Sequence, residues 1–158
     1  VITAVDTNVF LDILIPDAQH ADRSQQALDR ALSDGALVIC EVVYAELASQ
    51  FPEPEELDQF MNDTHIRLES SLPRALIRAA TTWKRYLESR GAYLNCPACG
   101  ERQRVHCSAC GTLLTVRQHI LSDFLIGGHA LEHADRLLTR DRGFYKGYFA
   151  GLKLMVPG

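Results

Sequence analysis

The amino-acid sequence predicts an α/β fold, a mostly parallel sheet with helices on both faces, in a three-layer arrangement. Two observations carry that expectation. Short apolar, β-rich runs alternate with longer stretches of helical periodicity along most of the chain, which is the pattern of successive strand–helix units. The 158 residues also suit one domain, long enough to bury about two-thirds of the surface that the unfolded chain exposes.

Each element has a local reason. ITAV (2–5) is a short β-rich run ending at Asp6, and Thr7-Asn8 follow as a strand-to-helix turn. Residues 18–33 space Ala21, Ala27, Leu28, Ala31 and Leu32 among polar residues, an amphipathic helix closed by Asp34-Gly35. ALVIC (36–40) is a second buried strand, and VVYAELASQF (42–51) is a helix stopped by Pro52. A helix over 54–62 and a weak strand at Ile66–Leu68 come next. Pro73 opens a long helix to Ser89, at the turn where its missing N–H costs least. Beyond a compositional break over about 91–116, residues 117–134 are helical, DRLLTRD (135–141) contains a strand, and LKLMV (152–156) is the last strand.

Composition narrows the class of protein. Hydrophobic residues make up 47% of the chain, as in a globular protein, and disorder is not expected. No apolar run reaches the roughly 18 residues of a bilayer span. The apolar start, VITAVDTNVFLDILIP, lacks a basic leader and carries Asp6 and Asp12, a poor signal peptide. Four of five cysteines lie in two C-x-x-C pairs. That favours a metal in a reducing compartment over secreted disulfides, hence a cytoplasmic address and no membrane. Net charge is −4, with −7 on residues 1–99 and +3 on residues 100–158. A locally basic C-terminal third can make phosphate contacts on an otherwise acidic protein; solvated surface charge is the plainer alternative.

In a parallel α/β sheet the ligand site lies beyond the carboxyl ends of the strands. Asp6 follows the first strand and Asp141 the strand within 135–141; Glu46 lies in the helix after the second strand, and Asp123 early in the 117–134 helix. Four acids at one sheet edge can be stabilised around a divalent cation, and hard oxygen ligands suit Mg²⁺ or Mn²⁺. Asp6 and Asp141 as helix caps, with Asp123 as an N-terminal helix acid, is the competing structural explanation. Glu41 stands five residues before Glu46, more than one helical turn, so the two cannot readily face one ion. Asp12 is expected on an exposed helix face.

The segments 5-VDTNVFLDIL-14, 43-VYAELA-48, 122-SDFLIGGHALE-132 and 138-LTRDRGFYKGYF-149 resemble the four acidic motifs of PIN-domain nucleases, most closely the VapC-type toxins of toxin–antitoxin pairs. The closing run to LKLMVP is similar to the end of that family, and the resemblance spans the chain apart from about 92–116. It implies a PIN-like α/β/α fold in a single domain over 1–158. It further implies that Asp6, Glu46, Asp123 and Asp141 bind Mg²⁺ or Mn²⁺, with Asn8 and Thr139 as supporting polar groups. The implied activity is metal-dependent endoribonuclease cleavage of RNA, and the implied partners are a small antitoxin and a second copy of the chain in a homodimer. The alternatives are a non-catalytic zinc-ribbon RNA-binding or regulatory protein on a PIN scaffold, and a PIN nuclease acting in rRNA maturation or on structured DNA.

Two further motifs compete for attention. His129, Glu132 and His133 spell H-x-x-E-H, the inverted zincin motif. No Glu or His follows His133 to supply a third ligand, and helical phase turns His129 away from Asp123. A peptidase is therefore not expected; the histidines fit a partly buried helix flank, with Gly127-Gly128 letting the helix approach the sheet. Cys96, Cys99, Cys107 and Cys110 form C-x2-C-x7-C-x2-C with Gly after each pair. Four thiolates describe a closed, structural Zn²⁺ site, here a small zinc-ribbon insertion at about 92–116, with reduced thiols or a redox pair as the alternative. Arg102, Arg104 and Arg117 in and beside it are candidates for RNA phosphates or for plain solubility. Cys40, in an apolar strand, is expected to be a buried inert thiol, and Trp83 and Tyr86 to be core.

Overall fold

The computed structural model describes residues 1–15, 18–89, 93–95, 102–114 and 119–158. The chain runs β1 (Ile2–Val5), α1 (Thr7–Leu14), α2 (Ala21–Asp34), β2 (Ala36–Ile39), α3 (Glu41–Ala48), α4 (Pro54–Asp63), β3 (Ile66–Leu68) and α5 (Pro73–Ser89). Four two-residue strands follow: β4 (Leu94–Asn95) pairs antiparallel with β5 (Arg102–Gln103), and β6 (Val105–His106) with β7 (Leu113–Leu114). The chain then returns through α6 (Leu121–His133), β8 (Arg136–Leu138), α7 (Arg142–Tyr148) and β9 (Leu154–Met155). The main sheet has the order β3-β2-β1-β8-β9 and every pairing in it is parallel.

That order creates the feature that matters. From β1 the chain builds outward to β2 and β3, then comes back to lay β8 on the other side of β1. The carboxyl ends of β1 and β8 therefore flank a topological switch point, where loops leave in opposite directions and open a crevice. Val5 pairs with Leu138, and the Asp6 N–H donates to the Leu138 carbonyl at 3.0 Å. Strand residues Val5, Leu37, Ile39, Leu137 and Leu138 are at most 1% exposed, and Val9, Phe10, Leu47 and Phe124 close over them from the helices. Among the described residues no helix is long and apolar enough to cross a membrane.

The predicted elements are present, with shifted ends. The helix expected to reach 51 stops at Ala48, where Gln50 and Phe51 N–H groups bond back to Leu47 and Ala48 in tighter turns ahead of Pro52. Trp83 and Tyr86 join an aromatic cluster with Phe124, their rings 5.1 and 5.4 Å from it. Cys40 is buried and unoxidised, and burial pushes its thiol up.

Three expectations need correction. Asp12 is not on an exposed face: it is 3% exposed, accepting from Ser24 Oγ at 2.6 Å and from Arg140 Nε at 3.0 Å. It ties α1 to α2 and to the loop that carries Asp141. His129 is fully buried rather than a partly buried flank. Its ring stacks on His133 at 4.5 Å, while Glu132 is held by Arg74 and Arg78, so H-x-x-E-H does not converge on a metal. Burial, then His133, pushes His129 down to about 4 and keeps it neutral. Gly127 and Gly128 make room for Phe149 and α5 rather than for the sheet: a methyl at Gly128 would lie 2.6 Å from the Ala75 carbonyl oxygen.

Gly128→Ala is expected to destabilise the protein by about 1–3 kcal/mol, because backbone rather than a flexible side chain blocks the methyl. Gly143→Ala, on the open face of α7 with nothing near its Cβ position, should stabilise by a few tenths to about 1 kcal/mol. Urea unfolding of the two variants checks both signs.

Candidate active site

Beyond the carboxyl ends of β1, β2 and β8 lies an open cleft of about 380 Å³ whose walls include Asp6, Glu46, Asp123 and Asp141, together with Thr7, Asn8 and Tyr145. The structure thus brings the four acids to one place from four separate segments. Asp6 comes directly off β1, Glu46 from the second turn of α3, Asp123 from the first turn of α6 and Asp141 from the N-cap of α7.

Each carboxylate is anchored through one oxygen. Asp6 Oδ2 accepts from Asn8 Nδ2 at 2.6 Å, Thr139 Oγ1 at 2.7 Å and Tyr145 Oη at 3.2 Å. Glu46 Oε2 accepts from the Thr7 hydroxyl. Asp123 Oδ2 accepts from the Ile120 N–H at 3.0 Å, and Asp141 Oδ1 from the Phe144 N–H at 3.0 Å. Among the described residues the side-chain donors to Asp6 all converge on Oδ2, with the Asn8 N–H also beside that carboxylate, and no hydrogen bond reaches Glu46 Oε1, Asp123 Oδ1 or Asp141 Oδ2. Four oxygens with fixed partners hold the side chains in place, and the other four retain lone pairs.

Asn8 and Thr139 form the brace behind Asp6. The Thr139 hydroxyl donates to Asp6 and accepts from Asn8 Nδ2 at 3.2 Å and the Asp141 N–H at 3.0 Å. Asn8 Oδ1 in turn accepts from the Arg140 N–H at 3.1 Å. The same few atoms therefore set both Asp6 and the loop bearing Asp141. Glu41 is elsewhere: both its oxygens bind Ser71, at 2.8 Å to the N–H and 2.9 Å to Oγ.

The electrostatics is unfavourable as it stands. Asp6 is 6% exposed, and burial raises its carboxyl from 3.8 to about 6; hydrogen bonds from Thr139 and Tyr145 work against that rise and the Asp123 charge adds to it. Burial, with the Asp6, Asp123 and Asp141 charges, holds the Tyr145 phenol well above its ordinary value, so it stays a donor. Among the described residues no lysine or arginine comes within ion-pair distance of Asp6, Glu46 or Asp141, and Asp123 has only His119 at 3.7 Å. Nor do three His, Cys, Asp or Glu side chains among them form a ready-made ligand cage. The donor set, hard carboxylate oxygens, fits Mg²⁺ or Mn²⁺ in kind.

Sequence reasoning missed Thr7, Tyr145 and Asp12 as parts of this apparatus. Tyr145 alone had a signal, an aromatic four residues after Asp141 on the same helix face. The cysteine segment is only partly described. Cys107 and Cys110 are not disulfide-bonded, and they sit at the turn of the β6–β7 hairpin, where the Gly111 N–H donates to the Cys107 carbonyl at 2.8 Å. Gly111 takes φ +72°, a value that favours glycine. Hydrogen bonds from Thr112, then Cys107, hold the Cys110 thiol below its ordinary value. Cys96, Cys99, Arg117 and the Arg102 side chain lie outside the described residues. Arg104 is exposed, its guanidinium 4.6 Å from the Tyr93 ring centroid and bonded to the Tyr93 hydroxyl at 2.7 Å.

A parallel sheet with acids clustered at its switch point is the arrangement in which carboxylates can hold a divalent cation at a ligand crevice. The sequence model of the PIN domain matches residues 3–94, more than half of the chain. The chain belongs to the PIN-domain family, whose members are generally metal-dependent nucleases. That match takes in Asp6 and Glu46 and ends before Asp123 and Asp141. Across the whole chain the fold is similar to one solved in a crystal structure of VapBC2 from Rickettsia felis bound to a DNA fragment from their promoter. The two agree with a TM-score of 0.61 over 99% of this chain and 98% of that one, at 17% identity. No curated protein sequence matches.

The raised Asp6 carboxyl predicts a pH dependence. A group that holds its proton more tightly when folded contributes stability that is present below about pH 3.8 and lost as pH rises through about 6. Leaving Asp6 ionised at neutral pH costs the metal-free protein on the order of 3 kcal/mol. Metal-free Asp6→Asn should therefore melt above the wild type at neutral pH, and the gap should close toward about pH 4. Thermal melts in EDTA across that range check it.

Proposed function

We propose that this protein is a metal-dependent endoribonuclease, the toxin of a VapBC-type toxin–antitoxin pair. The observation that carries the reading is the set of four carboxylates on one cleft, each fixed through one oxygen with no lysine or arginine paired to it among the described residues. Asp6 Oδ1, Glu46 Oε1, Asp123 Oδ1 and Asp141 Oδ2 are the atoms that would hold Mg²⁺ or Mn²⁺. When bound, such a cation lowers the pKa of a water and offsets charge on the phosphodiester oxygens.

The chain's own residues do the rest. Asn8, Thr139 and Tyr145 hold Asp6 so that its other oxygen stays directed into the cleft and little reorganisation is needed on loading. Thr7 does the same for Glu46. The Ile120 and Phe144 N–H groups lie at helix N-termini, where the helix dipole favours the negative charge of Asp123 and Asp141. The cleft is open, which suits a polymeric substrate entering sideways.

Support for the toxin class comes from the order of the acidic motifs and from the likeness in fold to VapBC2, a toxin–antitoxin complex. A small antitoxin and a second copy of the chain are the partners that this class implies. The cysteine segment is proposed as a structural zinc knuckle pair held by Cys96, Cys99, Cys107 and Cys110, inserted in a single PIN-like domain. The β6–β7 hairpin, with a glycine at positive φ after Cys110, supports its second half.

Purified protein should cleave single-stranded RNA with Mn²⁺, and Asp6→Asn should fall to the rate of the EDTA control. Glu41→Gln, on an acid anchored away from the cleft, should keep the wild-type rate; equal losses in both variants contradict the assignment. For the cysteines, Cys107→Ser should release one equivalent of zinc, read by metal analysis of the dialysed protein. Unchanged zinc content contradicts the four-thiolate site.

A further inference from the structure

Arg74, Arg78 and Arg85 line two grooves along α5, and two further cations stand on α7, the helix that begins at the acid cleft. On α7, whose N-cap is Asp141, Arg142 and Lys146 occupy the exposed face one helical turn apart. Neither has a hydrogen-bond or ion-pair partner among the described residues. Past the end of α7 a groove of about 260 Å³ opens between Arg78, Thr82 and Arg85 of α5 and Tyr148, Phe149 and Ala150. A second groove of about 270 Å³ continues along α5 past Thr81 to Arg74, sharing Arg78 and Arg85.

The spacing on α5 is regular. Arg74, Arg78, Thr81 and Arg85 fall at i, i+4, i+7 and i+11, a single stripe down one face. Arg74 and Arg78 share the carboxylate of Glu132, at 2.9 and 3.1 Å. One carboxylate neutralises one of the two. Among the described residues Arg85 bonds only the Thr82 hydroxyl, at 3.2 Å. Glu88, next on the same stripe, pairs with Lys84 at 3.9 Å, so Glu132 and Glu88 are outnumbered by the cations of α5 and α7, on a chain whose net charge is −4. Ordinary surface pairing does not leave that surplus, and its grooves offer hydroxyl and guanidinium donors with an aromatic edge at Tyr148.

We propose that Arg142, Lys146, Arg85, Arg78 and Arg74 form a phosphate track that carries the single-stranded RNA flanking the scissile bond from the acid cleft over α7 into the α5 grooves. The inference rests on the endoribonuclease reading and names where its substrate lies. An RNA strand is favoured over an acidic protein segment because the track starts at the acids that would cut it. With the Thr81 hydroxyl between Arg78 and Arg85, its donor groups on α5 also recur at about one helical turn, roughly 6 Å, a spacing of the same order as that of successive phosphates. An acidic cleft on an acidic protein repels RNA, and cations beside it are what offsets that repulsion. Such contacts position the strand without reading its sequence.

The test is binding of a fluorescein-labelled single-stranded RNA of mixed sequence, in EDTA, across a range of salt. Arg85→Gln combined with Lys146→Gln removes two track charges that have no acidic partner. The pair should weaken binding about tenfold and flatten the slope of log affinity against log salt by about 1.4, at about 0.7 per lost phosphate contact. Arg23→Gln combined with Arg30→Gln, the same charge change on exposed residues of α2, should behave as wild type. Unchanged affinity and slope in the α7/α5 pair overturns the track and leaves that surface to an acidic protein partner or to solvent. Equal losses in both pairs also overturn it, since net charge alone then explains binding. Wild-type hydrolysis of bis(p-nitrophenyl) phosphate with Mn²⁺ reports on the cleft separately. If wild type cleaves neither that ester nor RNA, the endoribonuclease reading fails, and the track fails with it as a substrate path.

Discussion

Val5 pairs with Leu138 across the middle of the sheet, and that register decides which side chains share the switch point. It sets Asp6 beside Thr139, so that one threonine hydroxyl serves both Asp6 and the backbone of Asp141. A slip of one residue would turn Asp6 to the other face and break both contacts. The price of this arrangement is a buried carboxylate with no described counter-charge, held ionised at neutral pH only against its own desolvation. Burial of that kind is unfavourable for stability alone and useful for gathering a cation. The braces around it (Asn8, Thr139, Tyr145, and further out Asp12 with Arg140) follow from the need to keep it aimed.

Helix capping and metal binding looked like rival explanations of Asp123 and Asp141 at the level of sequence. In the structure the two roles do not exclude each other. Asp141 caps α7 through Oδ1 and Asp123 reaches back to the Ile120 N–H through Oδ2, and each keeps its second oxygen unbonded among the described residues. A carboxylate has two acceptors, and using one to fix geometry is what makes the other well placed.

The alternation of strands and helices, the long helix from Pro73 to Ser89 and the four acids were legible because periodicity and position after a strand are local signals. The roles of Asp12, Thr7 and His129 were not. Asp12 looks exposed on its own helix, and only the packing of α2 and the Arg140 loop against α1 buries it. His129 donates from Nδ1 to Ser71 Oγ, since that hydroxyl is committed to Glu41, and its Nε2 has no partner among the described residues. That network joins α3, the β3–α5 connection and α6, and no short window of sequence contains it. The partner of Gly128 was misread for the same reason: glycine announces a close approach but not what approaches.

The central claim is that the four cleft carboxylates belong to one divalent-cation site. Titrating Mn²⁺ calorimetrically into wild type, Asp6→Asn, Glu46→Gln, Asp123→Asn, Asp141→Asn and Glu41→Gln tests it without reference to any substrate. The account predicts that each of the four cleft variants loses at least about tenfold in affinity, while Glu41→Gln binds as wild type does. Wild-type affinity in any of the four, or an equal loss in Glu41→Gln, would contradict it.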